Sequence, residues 1–362
     1  MKLQLGLIGL GRGWETRHRP ALRMLHDRFD VRAVYSSVSK LAENCAAEFQ
    51  ADPVDGYRAL VNRSDLDAVL ILDRCWHGWL PLLAAAEAGK AIYWASELDF
   101  DAHRDSELRG TVEQSGVAFM PEFPRRFSPA TLRLKELIAT RLGAPKLIFC
   151  HRRLLPESKT LHREFELNRS HREMVEAIDW CRYIVGRPPD SVISCGQSPY
   201  DVHVGVPSLK QGVAPEYQSL SLQFDPGTAA DGQTLTPVTA QISCGSYIPA
   251  AWREAAGFRP PAEMHVCCER GVAFLDMPNN LVWFDDAGRH LESLEEECPV
   301  GERLLRHFHR MVVSLVRSLD ELDDVFAASS ILNAAEESQV LGRRIMLRKN
   351  SSAVEPTDTT WP

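Results

Sequence analysis

The sequence predicts an α/β protein with two domains, a Rossmann-type N-terminal domain and an α+β C-terminal domain with a large, mostly antiparallel sheet. Three observations lead to this prediction. The chain has 362 residues, enough for about two domains. Short apolar segments alternate with helical patterns in the first third, which is typical of a doubly wound parallel sheet. From Lys146 onward, short β-rich segments follow one another between turn residues.

The first domain is predicted to span residues 1–123. Its run Ala68–Leu72 is apolar throughout, as expected for a strand covered on both faces. The predicted strands are Leu3–Gly9, Val31–Ser36, Ala68–Leu72, Ala91–Trp94 and Val117–Met120. The predicted helices are Trp14–Arg28, Ser39–Phe49, Trp76–Ala88 and Asp101–Ser115.

The second domain is predicted to span residues 124–348. Ser128 is placed to cap a helix that has Pro129 at its first position. One helix is predicted at Glu173–Val185, and two more at Glu302–Leu319 and Asp323–Leu341. The predicted strands are Lys146–Arg152, Ser191–Gly196, Gln218–Phe224, Thr239–Cys244, Met264–Glu269, Val272–Asp276 and Leu281–Phe284. We expect a mobile hairpin tip at Asp225–Thr236 and a disordered polar tail over 349–362.

Composition narrows the function classes. The 41 Lys and Arg against 49 Asp and Glu give a net charge of −8, so no nucleic-acid or membrane partner is predicted. The N-terminal apolar run does not resemble a signal peptide, because Arg12 stands where a small-residue cleavage site belongs. None of the nine cysteines forms a CxxC pair, which favours free thiols in a reducing compartment. We therefore expect a cytoplasmic protein.

A glycine-rich turn between the first predicted strand and helix indicates dinucleotide binding. In such a turn the first glycine allows a tight bend, and the second lets the backbone approach a pyrophosphate. Trp14 departs from the pattern, which has Gly or Ala there for close helix packing. The predicted cofactor-contacting residues of the turn are Gly9, Leu10, Gly11, Arg12, Gly13 and Trp14.

The end of the second strand bears on cofactor choice. Ser36 stands where an acidic residue would bind the ribose 2′-hydroxyl of NAD. Because serine does not repel a 2′-phosphate, NAD or NADP is predicted, with a slight lean to NADP. The alternative interpretation is an ordinary helix N-cap at Ser37 or Ser39.

Over nearly its whole length the chain resembles the glucose–fructose oxidoreductase/inositol dehydrogenase/MocA family. The similar segments are Asp67–Val69, Ala84–Lys90, Arg125–Pro129, Leu134–Leu137, Asp179–Gly186 and Gly271–Asp276. The resemblance implies an NAD(P)-dependent oxidoreductase of sugars, polyols or related small carbonyl compounds. It also implies a homodimer or homotetramer formed through the C-terminal sheet.

The family's catalytic positions are altered in this chain. Its lysine after the fifth strand corresponds to Ser96, followed by Glu97, and the histidine of its pocket helix corresponds to Glu176. Its Thr-Pro-Asn cofactor loop corresponds to Asp73, Arg74 and Cys75. The resemblance therefore implies that Asp73, Arg74, Ser96 and Glu97 lie beside the cofactor, without the family's usual Lys and His.

Glu176 and Asp179 are the candidate catalytic residues. At positions i and i+3 they share one helix face, and neighbouring carboxylates raise each other's pKa, so that one could serve as a general base. The alternative is a pair of solvated or salt-bridged acids with Arg172 and Arg182 as partners.

Other charged and aromatic residues have weaker patterns. The segment Glu157–Glu173 favours a surface or subunit-contact loop. A metal site of His162, His171, Glu173 and Glu176 matches no known motif spacing, and no metal is predicted. Arg125 and Arg126 could contact an anion or pair with acids. The tryptophans that could form a sugar platform, but more commonly belong to a core, are Trp76, Trp79, Trp94 and Trp180.

The leading hypothesis is thus an oxidoreductase of a small polyol, sugar or carbonyl compound in which Glu176, with Asp179, replaces the missing Lys and His. One alternative is a catalytically silent relative that binds a small ligand or partner. Another is non-redox chemistry with a retained NAD.

Overall fold

A computed structural model gives the architecture. It describes residues 1–11, 13–73, 77–96, 102–154, 163–197, 217–228, 234–245, 262–294, 298–314 and 320–347. The predicted fold class is confirmed: a parallel Rossmann sheet precedes a large, mostly antiparallel sheet.

The N-terminal sheet contains six parallel strands within the described residues. They are β1 Leu3–Ile8, β2 Phe29–Tyr35, β3 Asp52–Pro53, β4 Ala68–Ile71, β5 Ala91–Trp94 and β6 Phe119–Pro121. Their order is β3-β2-β1-β4-β5-β6, so the direction of winding reverses between β1 and β4. The helices are α1 Arg19–Met24, α2 Ser39–Phe49, α3 Tyr57–Val61, α4 Leu80–Glu87 and α5 Ala102–Ser115. Ligands of such sheets bind at the carboxyl ends of the strands, near the reversal.

The C-terminal domain begins with α6 Pro129–Leu137. Ser128 caps this helix by accepting the Thr131 N–H at 3.3 Å, and Pro129 opens it, as predicted. The strands are β7 Pro145–Arg153, β8 Ser191–Gln197, β9 Tyr217–Phe224, β10 Gly227–Thr228, β11 Thr234–Leu235, β12 Val238–Gly245, β13 Met264–Cys268, β14 Val272–Asp276, β15 Asn280–Asp285, β16 Gly288–Ser293 and β17 Ile345–Met346. The remaining helices are α7 Arg163–Val185, α8 Val300–Val313 and α9 Asp320–Leu341.

Nine of these strands form the large sheet, in the order β16-β15-β14-β13-β7-β12-β9-β8-β17. The β7–β12 pair is parallel and the other pairs in this sheet are antiparallel. Strands β10 and β11 pair separately as a hairpin. The inward residues of β12 and β9 alternate with more accessible ones, as expected for a sheet with one face on the core.

Several elements differ from the sequence prediction. The elements β3, α3, β10, β11 and β17 were not predicted. Helix α7 begins at Arg163 and not at Glu173, so residues 163–173 are helical and the loop expected for Glu157–Glu173 is wrong there. The helix predicted at Trp14–Arg28 is a π-helical turn, Trp14–His18, followed by the short α1. Strand β16 was not predicted at all. Its Leu291 is 68% exposed, so the strand lacks a buried apolar face and depends on backbone pairing with β15.

Helix α8 joins the N-terminal domain although it follows the sheet domain in sequence. Leu304, Leu305 and Phe308 are fully buried in one cluster with the apolar side chains of β1. The Phe308 ring contacts the edge of Tyr93, with ring centroids 5.6 Å apart. Helix α8 therefore packs in the same apolar core as the parallel sheet.

Several predicted features lie outside the described residues. These are the centre of the hairpin tip, 229–233, the segment 155–162 and the tail 349–362. Among the described helices, none is both long enough and apolar enough to cross a membrane.

Candidate active site

A cleft of about 560 Å³ lies between the two domains, at the carboxyl edge of the parallel sheet. One side is formed by residues that directly follow strands: Gly11 after β1, Asp73 after β4, Ser96 after β5 and Glu122 after β6. The facing side is formed by α7, β7 and the residues around Glu263. A volume of this size suits a small-molecule site.

The glycine turn packs tightly against the end of β4. Gly9 has φ +75°, and a Cβ there would lie 2.3 Å from the Asp73 carbonyl oxygen. A Cβ on Gly11 would lie 2.3 Å from the Leu72 carbonyl oxygen. The N–H groups of Gly11 and Gly13 donate to no acceptor within the part of the chain that the structure describes. Donors held open at the start of a helix suit an anion such as a pyrophosphate.

Trp14 does not obstruct this turn. Its side chain is 6% exposed and packs in the core against Phe49 of α2, with ring centroids 6.0 Å apart. It is absent from the cleft wall. The widened π-helical turn begins at Trp14, the position where the fingerprint has a small residue. The glycine turn therefore fits a dinucleotide despite the altered position.

At the end of β2, Ser36 is occupied locally: its hydroxyl accepts the N–H of Val38 at 3.3 Å. The N-cap of α2 is Val38, with no side-chain cap, so the alternative interpretation of Ser37 or Ser39 as the cap is wrong. Lys40 is exposed and pairs with Glu43 at 3.0 Å.

Glu122 forms a buried hub at the base of the cleft. Its carboxylate is 1% exposed and accepts hydrogen bonds from Tyr93 at 2.8 Å, from His18 Nε2 at 2.5 Å, and from Arg17. Burial and the nearby charges of Arg17 and Arg172 lower the pKa of His18 to about 3, so this imidazole is neutral at pH 7. Sequence reasoning missed this hub, although the position directly after a parallel strand is a signal for it.

Alternating charges continue from the N-terminal side of the cleft to the C-terminal side. Arg125 pairs with Glu176 and, at 2.6 Å, with Glu173. Arg172 pairs with Glu176 at 2.8 Å, and Arg152 pairs with Glu173 at 3.0 Å. Arg152 also pairs with Glu263 at 2.5 Å, and Arg172 lies 4.0 Å from Glu122. We call this series the charge ladder: Arg17, Glu122, Arg172, Glu176, Arg125, Glu173, Arg152 and Glu263.

The ladder keeps Glu173 ionised. Burial opposes ionisation of Glu173, but Arg125 and Arg152 outweigh it and lower the pKa of Glu173 to about 2. Four positive and four negative side chains offset one another, so the wall offers many hydrogen-bonding groups with little net charge. Such a surface suits a hydroxyl-rich ligand.

Asp179 lies one helical turn beyond Glu176 but does not reach the cleft wall. It is 1% exposed and binds Arg126 through both carboxylate oxygens, with Arg126 Nε at 2.7 Å. Arg126 also pairs with Asp324 of α9 at 2.7 Å. Asp179 thus ties α7 to the residues after β6 and, through Arg126, to α9. Burial raises the pKa of Asp179, and Arg126 opposes this shift.

The other predicted site residues divide into three groups. Gly11, Gly13, Asp73, Ser96 and Glu176 line the cleft. Four others are described and stand apart from its wall: Gly9, Leu10, Trp14 and Ser36. Arg12, Arg74 and Glu97 lie outside the described residues.

The tryptophans that are described have core positions. Trp79 stacks on Trp94 with ring centroids 5.0 Å apart, and Trp180 donates to the Thr131 hydroxyl at 3.0 Å. Trp76 lies outside the described residues. Within the described chain, no group of three His, Cys, Asp or Glu is arranged to hold a metal ion.

The fold and the glycine turn define a protein of the Rossmann nucleotide-binding class. Residues 3–94 match the model of the GFO_IDH_MocA family, described as "Oxidoreductase family, NAD-binding Rossmann fold". Over residues 3–94, this match confirms the resemblance to the glucose–fructose oxidoreductase/inositol dehydrogenase/MocA family seen in the sequence.

The chain is 26% identical over 145 residues to an uncharacterized oxidoreductase, YrbE, of Bacillus subtilis. That stretch is 40% of this chain and 42% of the length of the relative.

Solved structures share the whole fold at low sequence identity. An aldose-aldose oxidoreductase from Caulobacter crescentus matches with a TM-score of 0.73 at 14% identity, over 96% of this chain and 100% of that one. An NAD binding oxidoreductase from Klebsiella pneumoniae matches with a TM-score of 0.73 at 18% identity, over 97% and 100%. A UDP-N-acetylglucosamine 3-dehydrogenase from Acidithiobacillus ferrooxidans matches with a TM-score of 0.69 at 17% identity, over 94% and 97%. These likenesses establish the fold.

Proposed function

We propose that this protein is an NAD(P)-dependent oxidoreductase of a sugar, polyol or related small carbonyl compound. The observation that carries the proposal is that one cleft joins the open N–H groups of the glycine turn to the carboxylate of Glu176. A dinucleotide on the turn would extend toward Ser96 and Glu176 along the ends of β1, β4 and β5. A bound nicotinamide supplies the carbon that exchanges a hydride with the substrate.

Glu176 is the proposed proton acceptor. An ionised carboxylate has about four acceptor sites, and Arg125 and Arg172 use one on each oxygen. Sites therefore remain for a substrate hydroxyl. From helix spacing alone, Glu176 and Asp179 are expected to repel each other and so raise each other's pKa. In the structure Glu176 pairs with Arg125 and Arg172, and Asp179 pairs with Arg126. Asp179 is therefore assigned to positioning α7 and Glu176 to proton transfer.

For the cofactor, we propose NAD or NADP with a slight preference for NADP. Tyr35 ends β2, and Ser36 and Ser37 follow without the carboxylate that would repel a 2′-phosphate. Lys40 is exposed on the next turn, and its partner Glu43 is itself solvent-exposed.

We also propose a cytoplasmic homodimer or homotetramer that assembles through the outer face of the C-terminal sheet. Phe149 and Phe284 are each 37% exposed on this face. His265 and Phe274 lie between them in continuous ring contact. An apolar stripe of this kind on an otherwise polar surface favours association. Light scattering of the purified chain checks the oligomeric state.

A second candidate is a catalytically silent ligand-binding relative. The observation favouring it is that both oxygens of Glu176 are held by arginines, while Ser96 carries no charge. Non-redox chemistry with a retained NAD is a further variant, and its mark would be NAD co-purifying without net reduction.

Titration with NADH and NADPH separates these functions. We expect enhanced nicotinamide fluorescence and a raised melting temperature with at least one of them. Oxidation of a polyol or sugar from a panel that includes myo-inositol, D-glucose and glycerol should follow, and Glu176→Gln should abolish it. Glu136→Gln, which changes an exposed acid paired with Arg133 away from the cleft, serves as the matched control. Turnover that survives in Glu176→Gln would contradict the assigned role, and absence of binding by either nucleotide would contradict the oxidoreductase.

A further inference from the structure

Arg172 crosses the cleft from one domain to the other. It starts on α7 and reaches the carboxyl end of β5, where Nη1 donates to the Ala95 carbonyl at 2.8 Å and to the Ser96 carbonyl at 3.3 Å. Its Nε donates to Glu176 at 2.8 Å. Three acceptors on two elements therefore fix the plane of this guanidinium.

The remaining nitrogen, Nη2, belongs to a side chain that lines the cleft. Its nearest acidic partner is Glu122 at 4.0 Å, which is beyond hydrogen-bond distance. Within the described chain Nη2 has no hydrogen-bond acceptor, although the Arg172 side chain is only 25% exposed and lines the cleft. Two N–H groups are thus held in place beside Glu176 and Ser96 with capacity for a ligand oxygen.

We propose that Arg172 Nη2 donates to the substrate oxygen on the carbon that loses hydride, and so stabilises the negative charge that develops there. This inference rests on the proposed function. As the alcohol is oxidised, its O–H proton passes to Glu176 and the electron pair of that bond forms the carbonyl. The C–H bond breaks, and its electron pair leaves as hydride to the bound nicotinamide.

The chemistry of arginine assigns different roles to Arg172 and Glu176. A guanidinium remains charged in proteins and has no acceptor site, so Arg172 polarises the oxygen and cannot take the proton. Glu176, held against the same guanidinium, is adjacent and can accept it. Ser96, at the end of β5, is neutral. Arg172 of the C-terminal domain therefore brings positive charge to this point. Fixed donors aimed at a developing oxyanion are worth a factor of about 10²–10³ in kcat.

The test compares Arg172→Gln and Arg172→Lys with Arg63→Gln in the full-length protein. Arg63 is a distal arginine paired with Asp52 and Asp65. Myo-inositol and D-glucose serve as substrate probes, and NADPH fluorescence reports cofactor binding independently of turnover. We expect kcat of Arg172→Gln to fall about 10²–10³-fold, with cofactor affinity unchanged. Added guanidinium ion should restore part of that rate.

Arg172→Lys should lose about tenfold, because an ammonium cannot hold two carbonyls, Glu176 and the substrate at once. Arg63→Gln should match the wild type. If Arg172→Gln keeps its kcat, or loses it without any recovery on adding guanidinium, this inference falls while the proposed function stands. If the wild type binds neither nucleotide, both fall. If Arg172→Gln melts below the assay temperature, Arg172→Lys is the deciding variant, and an unchanged kcat in Arg172→Lys contradicts the inference.

Discussion

The glycine turn and the charge ladder line the same cleft, but they are built in different ways. The turn contributes the backbone of Gly11 and Gly13, and a Cβ on Gly9 or Gly11 would collide with the residues that follow β4. The ladder shapes its wall with side chains from widely separated elements of both domains. Arg125 and Glu176, for example, are 51 positions apart. The nucleotide side of the cleft therefore depends on backbone geometry. The substrate side depends on ion pairs between residues that are far apart in the sequence.

Removing a central cation should break the charged wall most severely. Arg125 is 8% exposed and pairs with both Glu173 and Glu176. The substitution Arg125→Met removes this shared partner from both carboxylates. Removing one member of a buried pair costs about 3–5 kcal/mol, and urea unfolding measures the loss. Arg109→Met is the matched control, because its partners Glu113 and Asp323 are on the surface and such pairs contribute at most about 1 kcal/mol. Equal losses in the two variants would contradict a structural role for the ladder.

The glycine wall should fail through sterics and not through charge. In Gly9→Ala the new methyl group meets the Asp73 carbonyl, and alanine must adopt φ +75°. Overlap costs about 1–3 kcal/mol and left-handed backbone about 1–2 kcal/mol, so we expect a lower melting temperature and weakened NADPH binding. Gly56→Ala is the control, since its Cβ meets nothing within 4 Å and its φ of −166° is extended backbone. Normal nucleotide binding in Gly9→Ala would remove the turn from the proposed site.

Acid should weaken the charged wall through Glu173. Because its folded pKa of about 2 is below the ordinary value of 4.5, ionised Glu173 contributes stability above pH 4.5. This contribution is lost as the pH falls from 4.5 toward 2, and we expect it to be about 3 kcal/mol. The acid limb of unfolding free energy against pH should therefore be shallower in Glu173→Gln than in the wild type. If the acid limbs of the two proteins have equal slopes, Arg125 and Arg152 do not stabilise the ionised form of Glu173.

Part of this site can be predicted from the sequence. The turn from Gly9 to Gly13 is recognisable because its backbone requirement is met by contiguous residues. The second half of α7 is predicted by the pattern over Glu173–Val185, and only the structure places Glu176 at the cleft. The role of Trp14 was not readable, since only packing shows that its side chain turns to Phe49 and the helix widens around it. Asp179 was grouped with Glu176 by helix spacing, but Arg126 draws it away from the cleft.

What the sequence alone determined about this protein is its fold class, its domain order and the position of the nucleotide turn, because periodicity and glycine placement are local properties. The tertiary structure decided which charges meet. The sequence contains 41 Lys and Arg and 49 Asp and Glu, and no local rule selects partners among them. Only the tertiary position of α7, whose Arg172 reaches the residues after β5 and β6, brings Arg172, Glu176 and Glu122 to one cleft. Ion pairing depends on distance in space and not along the chain.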